Sequence, residues 1–281
     1  MPNSIPRNRE SAPATPPTRS DAITRYGAGV VVVTIGSLVL WAFLPERAAA
    51  LATALTAAAV LSLAQWVVRA RPPGNPARGA AATSAALIVV DALTIGAIAL
   101  ANWPDSDATW GRIALLATHV TLTLALLGAL SMTVWHLAGA PANRWRGQGA
   151  DGAIVASMLG LTLCQAISGV LAALGTRIAP ITLLSDEAQA ALPPAALFLQ
   201  RLHGAHPLVA MLTAAAVIRG ALLLARRRGS AQTKRYAAIA SLLVLAQLAV
   251  GALNSAYFAP TVLRVPHLVL AAGLWIAIVL L

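Results

Sequence analysis

Two short runs carry the residues best suited to chemistry. They are Arg201-Leu202-His203-Gly204-Ala205-His206-Pro207-Leu208-Val209-Ala210 and Arg264-Val265-Pro266-His267-Leu268. The first leads out of the longest polar loop into an apolar segment, and the second opens the last apolar segment in the same way. A histidine just inside a membrane helix is costly unless it has a partner or a task. Two such helices, entering from the same side with a histidine about one turn down each, suggest one ligand held between them. A haem iron with a neutral imidazole on each face is the obvious candidate. A lone histidine would be read as a satisfied interhelical hydrogen bond; two at matching positions shift the reading to ligation.

Composition supplies the membrane. Of 281 residues, 58% are hydrophobic and 10% charged, with a mean hydropathy of +0.76. That describes a polytopic membrane protein, with the lipid bilayer as its first partner. Cys164 is the sole cysteine and lies in an apolar segment, which excludes intrachain disulfides and cysteine-ligated clusters. The formal charge of +11 invites a nucleic-acid reading. The basic residues sit in short loops between apolar runs, however, so topology explains them better and no nucleic-acid partner is expected.

Residues 1–26 are rich in Pro, Ser, Thr and Arg and read as a disordered cytoplasmic tail, without the layout of a cleavable signal peptide. Apolar runs follow at about 28–44, 48–68, 83–102, 112–137, 152–175, 204–225, 237–258 and 263–281. Each, at roughly 17–26 residues, can cross a hydrocarbon core of about 30 Å as a helix. Backbone groups in lipid must be satisfied within the segment, so all eight are expected to be α-helical. Arg7, Arg9, Arg19, Arg25, Arg69, Arg71, Arg78, Arg144, Arg146, Arg226, Arg227, Arg228, Lys234 and Arg235 fall on one side. Arg47, Arg112, Arg177, Arg201 and Arg264 fall on the other, with acids nearby. This asymmetry puts both termini in the cytoplasm.

The same orientation gives His119, His206 and His267 a common depth, each within about seven residues of an outer helix end, or ~10 Å. His136, at the inner end of the fourth helix, reads as an interfacial residue. His203, one turn above His206, either meets a haem propionate or meets water.

An internal repeat organises these positions. Leu55-Thr56-Ala57-Ala58-Ala59-Val60 in the second helix matches Leu212-Thr213-Ala214-Ala215-Ala216-Val217 in the sixth, and His119-Val-Thr-Leu in the fourth matches His267-Leu-Val-Leu in the eighth. An even number of helices per half implies a parallel repeat about an axis along the membrane normal. The expected fold is an all-α integral membrane protein whose eight transmembrane helices form two parallel pseudo-symmetric four-helix bundles. These span 27–138 and 152–281, joined by a cytoplasmic loop at 139–151. Gln165-Ala-Ile-Ser-Gly169 and Gln247-Leu-Ala-Val-Gly251 share a further pattern in the fifth and seventh helices. Small residues there allow close helix approach, and packing is the preferred role for the glutamines. Asp91, the one acid in the middle of a span, is harder to dismiss.

Taken together, Gln165 through Gly169, the outer loop, Arg201 through Ala210, Gln247-Leu-Ala-Val-Gly-Ala-Leu-Asn254 and His267-Leu-Val-Leu-Ala-Ala-Gly-Leu-Trp275 resemble haem A synthase. The likeness is good over about residues 150–281 and moderate in the fourth helix; the first three helices fit in number and hydropathy. The resemblance implies a bacterial cell-membrane oxidoreductase of cytochrome oxidase assembly. In that family the C-terminal histidine pair binds haem b, and the N-terminal half oxidises a ring methyl of haem O to the formyl of haem A. It implies His206 and His267 as haem b iron ligands and His119 as a ligand in the N-terminal half. Haem O synthase is then a possible partner, and a homo-oligomer is a further one.

One departure stands out. The family's second helix carries a glutamate followed three residues later by a histidine. The alanine-rich match puts His203 on Glu46 and His206 on Ala49, so the acid is kept and the histidine lost. Glu46 is thereby the candidate catalytic carboxylate, suited to handling protons at a wet, partly buried edge. The missing histidine supports the competing expectation of a non-catalytic b-type haem protein with a degenerate N-terminal half, carrying electrons or holding haem. A transporter with parallel repeats is the third class, but paired Gly/Pro breaks near mid-membrane are missing from the spans.

Overall fold

Sharp polar turns divide the chain. Gly229 takes φ +65°, a left-handed conformation that glycine adopts at little cost, and ends one helix. Ser230 caps the next at once, its hydroxyl accepting from the Thr233 N–H at 3.1 Å. Thr109 opens the fourth helix in the same manner, accepting from the Arg112 N–H at 3.4 Å. The computed structural model describes residues 19–41, 46–101, 103, 108–140, 147–178, 191–257 and 261–281, with the side chains of 19–20, 41, 46–50 and 261 left out of that description.

Among the described residues the regular structure is entirely helical: α1 Arg19–Trp41, α2 Glu46–Ala70, α3 Pro76–Ala101, α4 Trp110–Leu137, α5 Gly149–Ile178, α6 Pro194–Arg228, α7 Ala231–Ala256 and α8 Thr261–Val279. All eight are long and apolar enough to cross a membrane. The protein is a multi-pass membrane protein.

Several helices begin earlier than hydropathy suggests. Residues 19–26, expected in the disordered tail, form the first turns of α1, where Asp21 suits the positive end of the helix dipole. Residues 1–18 of that tail lie outside the described residues. Helix α5 takes up 149–151 from the expected cytoplasmic loop. Helix α6 starts at Pro194 instead of near 204. Proline is pre-organised for the first helical position, and the apparent loop before Arg201 is therefore helix. At 35 residues α6 is about 52 Å long, well beyond a hydrocarbon core of about 30 Å.

Packing follows two closed circuits. Helix α1 meets α2 and α4, and α3 meets α2 and α4; likewise α5 meets α6 and α8, and α7 meets α6 and α8. The circuits join through α4 against α5 and α8, and through α1 against α8. Ile23, Val60, Leu63, Ile88 and Leu130 fill the first circuit. Met158, Val217, Leu224, Val244 and Ile278 fill the second. Leu124, Leu127 and Trp275 lie where the circuits meet.

One end of the molecule is closed by Ile98, Ile113, Leu174 and Leu199, contributed by α3, α4, α5 and α6. A Cβ on Gly175 would lie 3.0 Å from the Leu199 side chain and backbone, so the early start of α6 depends on a glycine at this crossing. At the opposite end Arg228 donates to Asp151 Oδ2 at 3.1 Å, to Gln148 Oε1 at 3.1 Å and to the Leu281 carbonyl at 2.7 Å. These contacts tie the start of α5 to the end of α6 and to Leu281, two residues past α8. His119, His206 and His267 all lie toward the Leu199 end. Arg219, inside α6 and exposed on its outer face, belongs with neither cluster of basic loop residues.

Candidate haem-binding site

The C-terminal circuit builds its site from glycine and a polar side chain on each odd-numbered helix. A Cβ on Gly169 of α5 would sit 3.0 Å from His206 Cε1 and 3.4 Å from its Nε2. A Cβ on Gly251 of α7 would sit 3.2 Å from His267 Cε1. Each glycine therefore makes the room in which an imidazole lies. In the sequence these glycines read as helix-packing residues; their work here is to seat a ring.

Polar neighbours then orient the rings. The Ser168 hydroxyl donates to the Gln165 carbonyl at 2.9 Å and lies 2.9 Å from His206 Nδ1. With its proton committed to the carbonyl, the hydroxyl accepts from Nδ1–H, which makes Nε2 the lone-pair nitrogen of His206. His267 Nε2 is 3.3 Å from the Gln247 amide nitrogen, a donor to it, so Gln247 touches the candidate ligand directly. His206 and His267 are half-buried. Proline adjoins both: Pro207 and Pro266 lie inside their helices. Each removes one backbone donor beside a histidine.

Several buried polar atoms without partners belong to the rings themselves or to residues within a turn of those that touch them. They are Gln165 Oε1, Gln247 Oε1, Asn254 Oδ1 and His267 Nδ1. Leaving such an atom unsatisfied costs about 1–3 kcal/mol. Unmet polar atoms on the turns that seat two imidazoles fit a polar-edged ligand such as haem. His206 would hold its iron through Nε2 with Ser168 behind the ring, and His267 would do so on giving up the Gln247 donor that now meets its Nε2. His203 is exposed, its Nδ1 3.3 Å from the Thr176 hydroxyl, one turn nearer the helix end than His206.

The N-terminal circuit is built differently. His119 and Asp91 are 5% and 3% exposed, and His119 Nδ1 lies 2.8 Å from Asp91 Oδ1. Thr123 donates to Asp91 Oδ2 at 3.4 Å. Beside the pair is a cavity of about 20 Å³, lined also by Thr34, Thr53 and Thr56, enough for about one water. Asp91 stood out in the sequence; that His119 is its partner required the fold. Glu46 opens α2, but its side chain and that of Ala49 lie outside the described residues. His136 is 17 residues from His119 on α4, about 25 Å along the axis, in a separate cleft with Arg25 and Arg71.

Residues 21–279 match the family model described as "Cytochrome oxidase assembly protein", which covers all eight helices. The chain belongs to the haem A synthase family. Haem A synthases serve cytochrome oxidase assembly, and the family is one of oxidoreductases that handle haem. Two similar proteins, from two strains of Thermus thermophilus, are each named protoheme IX farnesyltransferase. Both are 35% identical over 224 residues, which is 79% of this chain and 36% of the relative. The chain thus spans about a third of the length of these curated relatives.

Proposed function

We propose that this haem A synthase family member oxidises a ring methyl of haem O, through an alcohol, to the formyl group of haem A, a net change of –CH3 and water to –CHO with four protons and four electrons passed to an external acceptor. The observation that best supports a haem protein is the seating of His206 and His267 over Gly169 and Gly251. In this reading the C-terminal circuit holds haem b, which supplies one-electron chemistry when bound. His206 would take its iron on a ring oriented by Ser168 of α5, and His267 would take it after its Nε2 exchanges the Gln247 N–H of α7 for the metal. The N-terminal circuit is the half assigned to haem O, although the closed cavity of about 20 Å³ beside His119 does not hold a haem as it stands.

Register between the halves supports the repeat. Thr56 and Thr213, matched in the sequence, are both buried, and each donates to the carbonyl four residues back, at 2.9 and 2.8 Å. Val60 and Val217, also matched, are fully buried. That register sets Ala49 opposite His206 and Glu46 opposite His203. Glu46 then stands at the outer end of α2 as the group that moves protons during methyl oxidation. The transferase named among the relatives makes farnesylated haem by its name, the substrate class required here; an enzyme of that kind is the proposed partner.

Two measurements test the reading. Cells making this protein together with a haem O synthase are expected to yield extractable haem A. Haem O alone, with the protein folded and haem-loaded, supports the electron-transfer reading instead and sinks the synthase. For orientation, a reporter fused after Gly229 is expected to be active in the cytoplasm only. Activity on the outer face would overturn the placement of both termini inside, and with it the outer location of the three histidines.

A further inference from the structure

The cleft that holds His136 has no part in the haem reading. It is an open space of about 710 Å³ at the end of the molecule opposite His119, His206 and His267. Three elements wall it. Helix α1 brings Asp21, Thr24 and Arg25, the turn between α2 and α3 brings Arg71 and Asn75, and the last turn of α4 brings His136. Local bonds hold these walls in shape. The Arg71 carbonyl accepts from Arg78 Nη1 at 3.0 Å, and Asn75 Oδ1 accepts from the Ala77 N–H at 2.9 Å. At the end of α4 the Val134, Trp135 and His136 carbonyls accept from the N–H groups of Ala138, Ala140 and Gly139. Helix-end acceptors of this kind, which would otherwise repel an anion, are thereby occupied.

Aromatic rings fix the depth of the cleft. Tyr26, next to Arg25, meets Trp66 with ring centroids 5.6 Å apart, and Trp135, next to His136, meets Tyr236 at 5.9 Å. Tyrosine and tryptophan gather where headgroups meet hydrocarbon. Arg25, Arg71 and His136 thus stand at the level of the bilayer phosphates. We propose that this cleft binds a phosphate-bearing anion, with Arg25 and Arg71 as its charged donors and His136 as a neutral one. Among the described residues that line it, two guanidinium groups face one carboxylate, Asp21. A guanidinium matches two phosphate oxygens with paired N–H groups, and such charge-assisted bonds are short and strong. Asp21 and Arg71 each have an interaction partner already, so the anion competes for Arg71 and the Asp21 charge weakens its binding. Arg25 is exposed at the rim. Basic pockets between membrane helices suit anionic lipid headgroups, and the depth makes a lipid the nearer source of phosphate; a free phosphate carries the same chemistry.

The test places the full chain in nanodiscs of phosphatidylcholine with phosphatidylglycerol, transfers it to a neutral detergent and counts the lipid that stays by native mass spectrometry. Wild type is expected to retain phosphatidylglycerol in preference to phosphatidylcholine. Arg25→Gln with Arg71→Gln is expected to cut that retention about tenfold or more, as charge-assisted bonds are lost. Asp21→Asn removes the counter-charge and is expected to raise it. Arg226→Gln with Lys234→Gln removes two exposed charges at the same end but outside the cleft, and should retain the lipid as wild type does. A second arm titrates inorganic phosphate in the same detergent and follows thermal unfolding. A rise in melting temperature that the double arginine variant lacks, without selective lipid retention, identifies free phosphate as the source. Should the double variant fail to accumulate, Arg25→Gln alone serves both arms, its side chain being exposed. Equal retention in wild type and the cleft variants, with no phosphate effect, overturns the proposal. So does an equal loss in the Arg226→Gln, Lys234→Gln control, which would make the attraction a matter of net charge.

Discussion

His206→Ala or His267→Ala, made singly, is expected to abolish the low-spin bis-histidine spectrum of the C-terminal haem. Each ring has its own helix, its own glycine and its own polar partner, so neither can be replaced by the other. Loss of the outer partner should cost less. Ser168→Ala leaves His206 in place with its tautomer no longer fixed, and a fall of roughly 10–100-fold in haem affinity is expected. Loss of the ligand itself should exceed that range and remove the six-coordinate spectrum altogether. His136→Ala, in a cleft at the other end of α4, is expected to change nothing. Difference spectra of the purified variants decide this directly. If His203→Ala removes the spectrum while His206→Ala keeps it, the ligand is the exposed histidine and the seating over Gly169 is incidental.

How far these residues could be read from sequence depends on the range of the interaction involved. Hydropathy is a local property, so all eight membrane helices were legible. Helix ends were less so. Pro193-Pro194 reads as loop, yet Ala195 and Leu199 are buried against other helices, and tertiary burial extends α6 through polar residues that hydropathy discounts. Likewise Asp21 lowers local hydropathy while favouring the first turn of α1. At the site, Asp91 was conspicuous because an acid is costly in mid-span. Its partner lies 28 residues away on the next helix, and no spacing rule selects that histidine over the others. The glycines were visible as a shared pattern, but a glycine that admits a helix and one that admits a ring look identical in one dimension.

Filling the seats should therefore be as damaging as removing the ligands. A Cβ at position 169 would already lie 3.0 Å from His206 Cε1, and one at 251 would lie 3.2 Å from His267 Cε1. Alanine at either position forces the ring to yield by a few tenths of an ångström. Valine adds two further carbons, and overpacking of this kind usually costs about 1–3 kcal/mol. Where that cost falls is the informative point. Without haem, the half-buried imidazole of His206 is tied to α5 by one hydrogen bond to Ser168 and can yield, so the apoprotein is expected to fold. With iron on Nε2 the ring is pinned, and the clash appears as lost haem affinity. Gly169→Val is thus expected to lose most of its low-spin haem, by about tenfold or more in affinity for about 1.4 kcal/mol or more of strain, and Gly251→Val to behave alike. Gly160→Val, on the same helix with nothing within 4 Å of the new Cβ, is the control and should keep wild-type occupancy. Haem content per chain and the low-spin absorbance of the purified variants give the answer. Wild-type occupancy in Gly169→Val would mean that the iron-bound ring lies elsewhere than in the glycine seat, and the geometry on which the haem assignment leans would have to be redrawn.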